Sequence, residues 1–437
     1  MPSIQPIDVI TYAQSDPASL STKVAPPYDV LDEGPKRTLL ERDPHNIVEI
    51  DLPVTPPKTV GPDEAYAGAA DVMQRWLHEG VLRRHDKPCL VAYEQAYTID
   101  GQSLARRGLF VGCGLEDFNQ PNGVFRHEMT IPGGVNDRYK LTEATGAQLS
   151  PVFSVFDDPQ AEVVGMLSAW FDDTPADLDA TTEHDSVRHR CWLIDDASTI
   201  EKVTRWFASR PVFIADGHHR YTTALKFHRD HPDLPAAGKC LMVLVAAQDP
   251  GMIVRATHRV VTGLTDLTAE RLQLEIAEVG GMKLEATDHG ADGLADMAAW
   301  LATSDVGRHA MGLFEPSSGQ TFALTYVDDD PLGTSHADRP GVWRGLDVAV
   351  LQHHLIEQVV GPVFAKRGME DVAVKYTAEA SAVKDLAHAG PGRLGVLMQP
   401  TPLESVMAVA EADDVMPPKS TFFYPKLASG LAIHPVK

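Results

Sequence analysis

The sequence predicts an α/β or α+β protein with mixed sheets and flanking helices. Three observations predict it. Residues 89–98 and 104–115 are strand-patterned runs on either side of Asp100-Gly101, a strong hairpin-turn signal. Helix and strand patterns alternate through the last third of the chain. Between these regions, residues 211–225 read as a short buried strand, a polar turn and a helix. The 437 residues, at roughly 100–200 per domain, make two to three domains with ample core.

Taken in order, residues 4–10 pattern as a short strand. Residues 25–30 contain Pro26 and Pro27 and must be extended or turned. Residues 36–42 fit a short helix that stops before Pro44. Residues 46–52 end in alternating apolar and acidic side chains, which predicts a half-exposed strand with Glu49 and Asp51 on one face. A first long helix follows over 63–84, with Met73, Trp76 and Leu82 on its apolar side. The glycine- and proline-containing stretch 119–136 reads as loop, 137–148 as helix, and 151–156 as a buried strand. Helices at 162–171 and 199–208 flank a strand at 188–194. Residues 240–247 are an apolar run suited to a central strand, and strand pattern continues over 253–261.

In the last third, helices are expected at 269–278, 293–303, 346–360 and 403–412. Strands are expected at 311–314, 321–327, 372–376 and 394–398, with a charged loop or linker over 328–341. The stretch from Met416 to Lys426 is aromatic and basic, unlike an ordinary frayed end, and is expected to dock back onto the fold. These readings give three regions. Residues 1–160 are an N-terminal α+β region, 161–265 a core with the polar turn, and 266–437 a C-terminal α/β region.

Composition narrows the function. A net charge of −23 argues against a nucleic-acid or anionic-membrane binder, because phosphate surfaces need a basic face. The four cysteines, Cys89, Cys113, Cys191 and Cys240, contain no CxxC pair and suit a reducing, cytoplasmic setting. The N-terminus lacks a signal-peptide pattern, and no apolar run reaches ~18 residues, so no membrane span is expected.

The chemistry concentrates at Asp216-Gly217-His218-His219-Arg220, where the strand hands over to the helix. A helix start offers free N–H groups and a positive dipole end, both suited to an anion. Gly217 lets backbone approach a ligand, and Arg220 can fork onto a phosphate. A capping Asp216 followed by solvated histidines is the plainer alternative. Four further groups stand out. They are Tyr28 and Asp29 after two prolines, Glu49 with Asp51, Arg126-His127-Glu128 followed by Asp137-Arg138, and Lys419 with Lys426. A turn, a solvated strand face, a polar loop and solvated tail lysines are their ordinary explanations. His127-Glu128 does not make an HExxH zinc motif. GxxxxGK[ST], a helix-opening GxGxxG and GxSxG are all missing, which disfavours a P-loop kinase, a Rossmann dehydrogenase and an α/β-hydrolase.

The order of these motifs resembles the uncharacterised bacterial and archaeal family DUF1015. The matching segments are 25–30, 46–50, 126–130, Asp137-Arg138, 150–153, 215–225, Thr257-His258-Arg259 and 416–431. One departure is visible: that family pattern carries a lysine just before the Asp-Arg pair, where Val135-Asn136 stand here. The turn itself is similar to the phosphate-contacting turn of the ParB/sulfiredoxin-like superfamily, which includes free-serine kinases. That resemblance implies phosphate contacts from Gly217, His218, His219 and Arg220. It lacks the cysteine that sulfiredoxin chemistry would require.

The resulting expectation is a nucleotide-dependent phosphotransferase acting on a small hydroxylated metabolite, with free serine as the specific acceptor, ATP or ADP as donor and Mg²⁺ as cofactor. Asp216, Glu49 and His218 are the expected catalytic residues. Gly217, His218, His219, Arg220, Lys419 and Lys426 are expected on the phosphates. Arg126, His127, Glu128, Arg138, Tyr28 and Asp29 are expected on the substrate. Asp216 and Glu49 are the expected Mg²⁺ ligands. Two alternatives stay open, a metal-dependent hydrolase such as a phosphatase and a nucleotide-binding regulatory protein without catalysis.

Overall fold

The computed structural model describes residues 2–303 and 306–437. It is an α+β structure with mixed sheets, divided into two compact units. The first comprises Met1–Ile253 and Pro425–Lys437, the second Val254–Tyr424. The three regions expected from sequence divide the chain by order, whereas strands from both of the first two regions share one sheet. Sheet pairing is long-range, so a division along the chain cannot see it.

The sheet of the first unit contains nine strands. They are β1 (Ile4–Gln5), β2 (Leu90–Ile99), β3 (Gln102–Gly114), β4 (Val124–Phe125), β5 (Val152–Phe156), β6 (Leu178–Thr182), β7 (Val187–Ile194), β8 (Val212–Asp216) and β9 (Lys239–Ala246). Their order is β4-β8-β5-β9-β3-β2-β7-β6, with β1 also on β3. The β8–β4 and β9–β5 pairs are parallel and the others antiparallel. The β2–β3 hairpin closes at Ile99↔Gln102, with Asp100 at φ 50° and Gly101 at φ 75°. Both central residues of that turn are left-handed, the geometry Asp-Gly tolerates best. Strands β5 and β9 are the apolar runs expected of central strands. All of β5 is buried, as is β9 after Lys239.

Five helices of this unit are α1 (Val48–Asp51), α2 (Asp63–His78), α3 (Pro132–Thr145), α4 (Ala197–Phe207) and α5 (His218–Asp230). Three differ from the sequence expectation. The half-exposed strand expected over 46–52 is instead α1. Asn46 causes this: its Oδ1 accepts from the Val48 N–H at 3.1 Å, and its amide donates to the Thr22 and Val24 carbonyls at 2.8 and 3.1 Å. Those bonds fold the backbone into a turn and override the alternating pattern. Helix α2 ends at His78, and Leu82–Arg84 form a separate strand. Helix α3 starts at Pro132, earlier than expected, because proline fits the first helical turn and Gly133-Gly134 do not stop it.

Residues 425–437 return to this unit as a buried strap. Leu427, Ala428, Leu431, Ala432, Ile433 and Val436 are buried. The Ile10 and Ile433 backbones exchange hydrogen bonds at 2.9 and 3.0 Å, and Ala25 and Ser429 exchange them at 3.2 and 2.8 Å.

The second unit is built on an antiparallel sheet of β10 (His258–Thr262), β11 (Met282–Thr287), β12 (Arg308–Glu315), β13 (Gln320–Tyr326), β14 (Ala373–Thr377) and β15 (Leu394–Leu397). Its order is β11-β13-β12-β15-β10-β14. The helix expected over 346–360 begins as Asp347–Val350 and continues as a wider π-helix, Leu351–Val360. Thr257-His258-Arg259 open β10. There the Met398 N–H donates to His258 Nδ1 at 3.1 Å, and Arg259 reaches the Thr257 and Lys419 carbonyls at 2.5 and 3.2 Å.

Burial of the strap implies a measurable contribution to stability. Truncating a fully buried isoleucine removes transfer free energy and leaves a cavity, so Ile433→Ala should destabilise the protein by about 2–5 kcal/mol. Urea unfolding followed by tryptophan fluorescence checks this. A change within experimental error would mean that the strap is not packed as described.

Candidate functional site

The polar turn sits at the end of β8 and the start of α5. Pairing between β8 and β5 shifts register between Ile214 and Asp216, a bulge of the kind that re-aims a side chain. Asp216 is the last strand residue and does not cap the helix. The N-cap is Gly217, at φ 97°, in the left-handed region. A Cβ there would also meet the Arg220 guanidinium at 2.9 Å. The left-handed φ favours glycine there, and the Arg220 guanidinium lies in the space a side chain would take.

The Asp216 carboxylate lies between two cations. Lys426 Nζ donates to one oxygen at 2.8 Å, and Arg220 Nη2 donates to the other at 3.4 Å. Arg220 also donates to the Pro151 carbonyl. Burial alone would raise the Asp216 carboxyl. Lys426 and Arg220 outweigh it and hold the group well below the usual carboxylate range.

The start of α3 lies beside the start of α5. The Ile131 N–H donates to His219 Nε2 at 3.0 Å, and a Cβ on Gly134 would meet the His219 ring at 2.8 Å. Gly134 thus lets His219 lie against the first turn of α3. Lys58 also reaches this helix start, with its side chain 3.4 Å from that Gly134 position. Its Nζ is 3.2 Å from Asp29.

A second layer lies beneath. Arg138 donates to Asp137 at 2.9 Å, to Asp51 Oδ1 at 3.2 Å and to the Asp51 carbonyl at 2.7 Å, and it stacks 3.9 Å over the Tyr28 ring. Asp51 accepts from Ser150 and, at 3.0 Å, from Ser429 of the strap. Tyr66 donates to Asp137 at 2.9 Å. Arg138 is nearly fully buried, and its Nη2 makes no hydrogen bond. It lines a cavity of about 40 Å³ together with Asp51, Ser150 and Arg220.

The Arg126-His127-Glu128 loop packs on the same turn. The His127 N–H donates to His218 Nε2 at 3.4 Å, so the neutral His218 ring carries its proton on Nδ1, 3.8 Å from Glu128. The two imidazoles meet edge to face at 4.7 Å. Arg126 lies 4.8 Å over the Phe118 ring. Burial, then the neighbouring His127, keeps His218 well below the ordinary histidine value, and burial lowers His127 to about 4.

Of the residues expected from sequence, Tyr28, Asp29, Arg138, Asp216, Gly217, His218, His219, Arg220 and Lys426 share one neighbourhood through these contacts, as do His127 and Glu128. Glu49 is half-buried on α1, and its near neighbour Asp51 is the acid that meets Arg138. Among the described residues no hydrogen bond or ion pair joins Glu49 to Asp216. Lys419 belongs to the second unit, exposed and at φ 58°. Lys58, Ser150 and Ser429 are members that sequence reasoning did not select. Among the described residues no group of three or more His, Cys, Asp or Glu could hold a metal ion, and no helix is long and apolar enough to cross a membrane.

The buried histidines give the site a pH signature. His127 has a folded-state pKa of about 4 against an ordinary 6.5, so the unfolded chain takes up its proton first. Its contribution is intact above about pH 6.5 and is lost as pH falls toward 4, amounting to roughly 3 kcal/mol over that window. His127→Gln should therefore flatten the fall in unfolding free energy between pH 7 and 4.5, since the other histidines are common to both proteins. Urea titrations at the two pH values check this, and equal slopes would refute it.

Several solved structures are similar to this chain. A free serine kinase in complex with AMP is 14% identical at a TM-score of 0.33, with 72% of this chain and 86% of that chain covered. A conserved hypothetical protein from Pyrococcus furiosus is 12% identical at a TM-score of 0.33, with 73% and 92% covered. SbnI with a C-terminal truncation, from Staphylococcus aureus, is 12% identical at 0.32, with 70% and 82% covered. No curated protein matches the chain. The family model described as protein of unknown function (DUF1015) matches residues 4–349, most of the 437, and the chain belongs to that family.

Proposed function

We propose that this protein is a nucleotide-dependent phosphotransferase acting on a small hydroxylated metabolite. One observation carries the reading: Lys426 and Arg220 are gathered on Asp216 where α5 begins, with the start of α3 and Lys58 alongside. Phosphoryl transfer needs charge neutralisation and positioning more than covalent help. Lys426, Arg220, Lys58 and the first-turn N–H groups of α5 would hold the donor's phosphates. Arg138, whose Nη2 has no bond of its own, and Arg126 would hold an acidic group of the acceptor. The likeness of the turn to that of free-serine kinases makes serine the first acceptor to test, with ATP and ADP as donors.

The acids divide by their partners. Asp216 faces two cations, and Asp51 and Asp137 are held by Arg138 and hydroxyl groups. Asp29 has Lys58 as its ion-pair partner and is partly exposed, so we assign it the hydroxyl proton. Asp216 with Glu49, the pair expected to hold Mg²⁺, does not fit that ion. Asp216 is already bracketed by cations, and no described contact brings Glu49 to it. Charge neutralisation in this reading rests on Lys426, Arg220 and Lys58.

Calorimetric titration with ATP and ADP, followed by a phosphate-transfer screen over hydroxy amino acids, tests the proposal. Lys426→Met should weaken nucleotide binding roughly tenfold or more, a loss of about 1.4 kcal/mol. Asp29→Asn should lower kcat by roughly 10²-fold or more, a larger effect than any change in nucleotide affinity through its partner Lys58. Tight nucleotide binding without turnover of any acceptor would favour the regulatory reading. Absence of nucleotide binding would sink both.

A further inference from the structure

Lys426 reaches Asp216 from a strap whose backbone is gripped by side chains of the β2–β3 hairpin. Gln95 and Arg106 are direct cross-strand partners on that hairpin. Arg106 Nη2 donates to the Pro425 carbonyl at 2.6 Å, and Gln95 Nε2 donates to the Lys426 carbonyl at 2.9 Å. The two donors are locked together, since Arg106 also forks onto Gln95 Oε1, with its Nε at 3.1 Å. On the far side of Lys426, Ser429 is fixed to Ala25 and Asp51.

Arg106 is only 1% exposed. Its guanidinium meets a side-chain amide, a backbone carbonyl and, at 4.6 Å, the Phe153 ring face. Burying a guanidinium is costly, and an apolar side chain of similar volume would fill the space at lower cost. What a planar fork supplies is a joint hold on the Pro425 carbonyl and on Gln95, the residue that donates to the Lys426 carbonyl. Those two carbonyls flank the Cα that carries the Lys426 side chain.

We propose that Arg106 and Gln95 are positioning residues that aim Lys426 at Asp216. The link to activity rests on the phosphotransferase reading, whereas the aiming itself does not. The test uses the full chain with Gln95→Leu and, as the conservative variant, Arg106→Lys, each first shown to be folded by its urea transition. A brief acetic anhydride pulse with peptide mass spectrometry then reads acetylation of each lysine amine.

Acetylation of Lys426 should rise roughly tenfold as the amine loses Asp216, while that of Lys239, held by the Pro6 carbonyl, stays unchanged. Unchanged Lys426 acetylation in either folded variant would overturn the proposal. Nucleotide affinity supplies the second readout. If both residues act through Lys426, Gln95→Leu combined with Lys426→Met should bind no more weakly than Lys426→Met alone. A fully additive loss would also overturn it. Raised acetylation with nucleotide affinity insensitive even to Lys426→Met would uphold the positioning role and remove the phosphotransferase reading.

Discussion

The ion triad of Asp216 with Lys426 and Arg220 is the constraint on which the first unit's arrangement depends. It joins the last strap of the chain to the end of β8 and the first turn of α5. Several local features exist to make it. The bulge near Ala215 re-aims Asp216, Gly217 clears the space that Arg220 fills, and the Pro151 carbonyl takes the other arm of the guanidinium. A charge-assisted hydrogen bond such as that from Lys426 to Asp216 contributes about 1.5–3 kcal/mol, and the half-buried setting with the longer 3.4 Å Arg220 contact puts the set toward the low end.

Beneath the triad, the Asp51–Arg138–Asp137 cluster acts as a rigid floor. Both carboxylates bind one guanidinium, and the hydroxyls of Ser150, Ser429 and Tyr66 take up remaining lone pairs. Tyr28 closes the face of the guanidinium. The exception is Arg138 Nη2, left without a bond beside a cavity of about 40 Å³. A cavity of that size has room for on the order of two or three waters.

The legible part of the site was the part contiguous in sequence. A strand, a glycine and a helix start with four polar side chains between them occupy residues 212–220, and local patterning reads each of them. The fold class was legible for the same reason, through the Asp100-Gly101 hairpin and the apolar runs of β5 and β9. Glu49 shows where local reading fails. Its alternation with apolar neighbours is real, but Asn46 bonds to Val48 and to the 22–24 segment, and those contacts are partly tertiary. Lys58 was illegible because nothing near it in sequence marks a ligand, and Ser429, although close to Lys426, is a small hydroxyl with no local pattern of its own. They matter through Asp29, Gly134 and Asp51, which are distant in the chain. The aromatic and basic stretch 416–431 misleads in another way. It reads as one segment, yet it divides between units after Tyr424, so Lys419 and Lys426 belong to different bodies.

On the phosphotransferase reading proposed above, the arrangement of charge answers a difficulty that any anion site faces before its ligand arrives. Cations held close together repel one another, and burial strengthens the repulsion. A net charge of −23 on the chain adds a field that opposes an incoming polyphosphate at long range. A working site therefore has to be cationic locally while remaining stable empty. Asp216 compensates Lys426 and Arg220 while leaving one net positive charge, whereas Asp29 pairs one to one with Lys58. Each acid compensates the cations in the empty protein. Because the helix starts of α3 and α5 add positive potential at the same place, the acids need not be displaced for a phosphate to bind. Asp216 is then the group that keeps Lys426 and Arg220 assembled, and its depressed pKa is the electrostatic trace of that work.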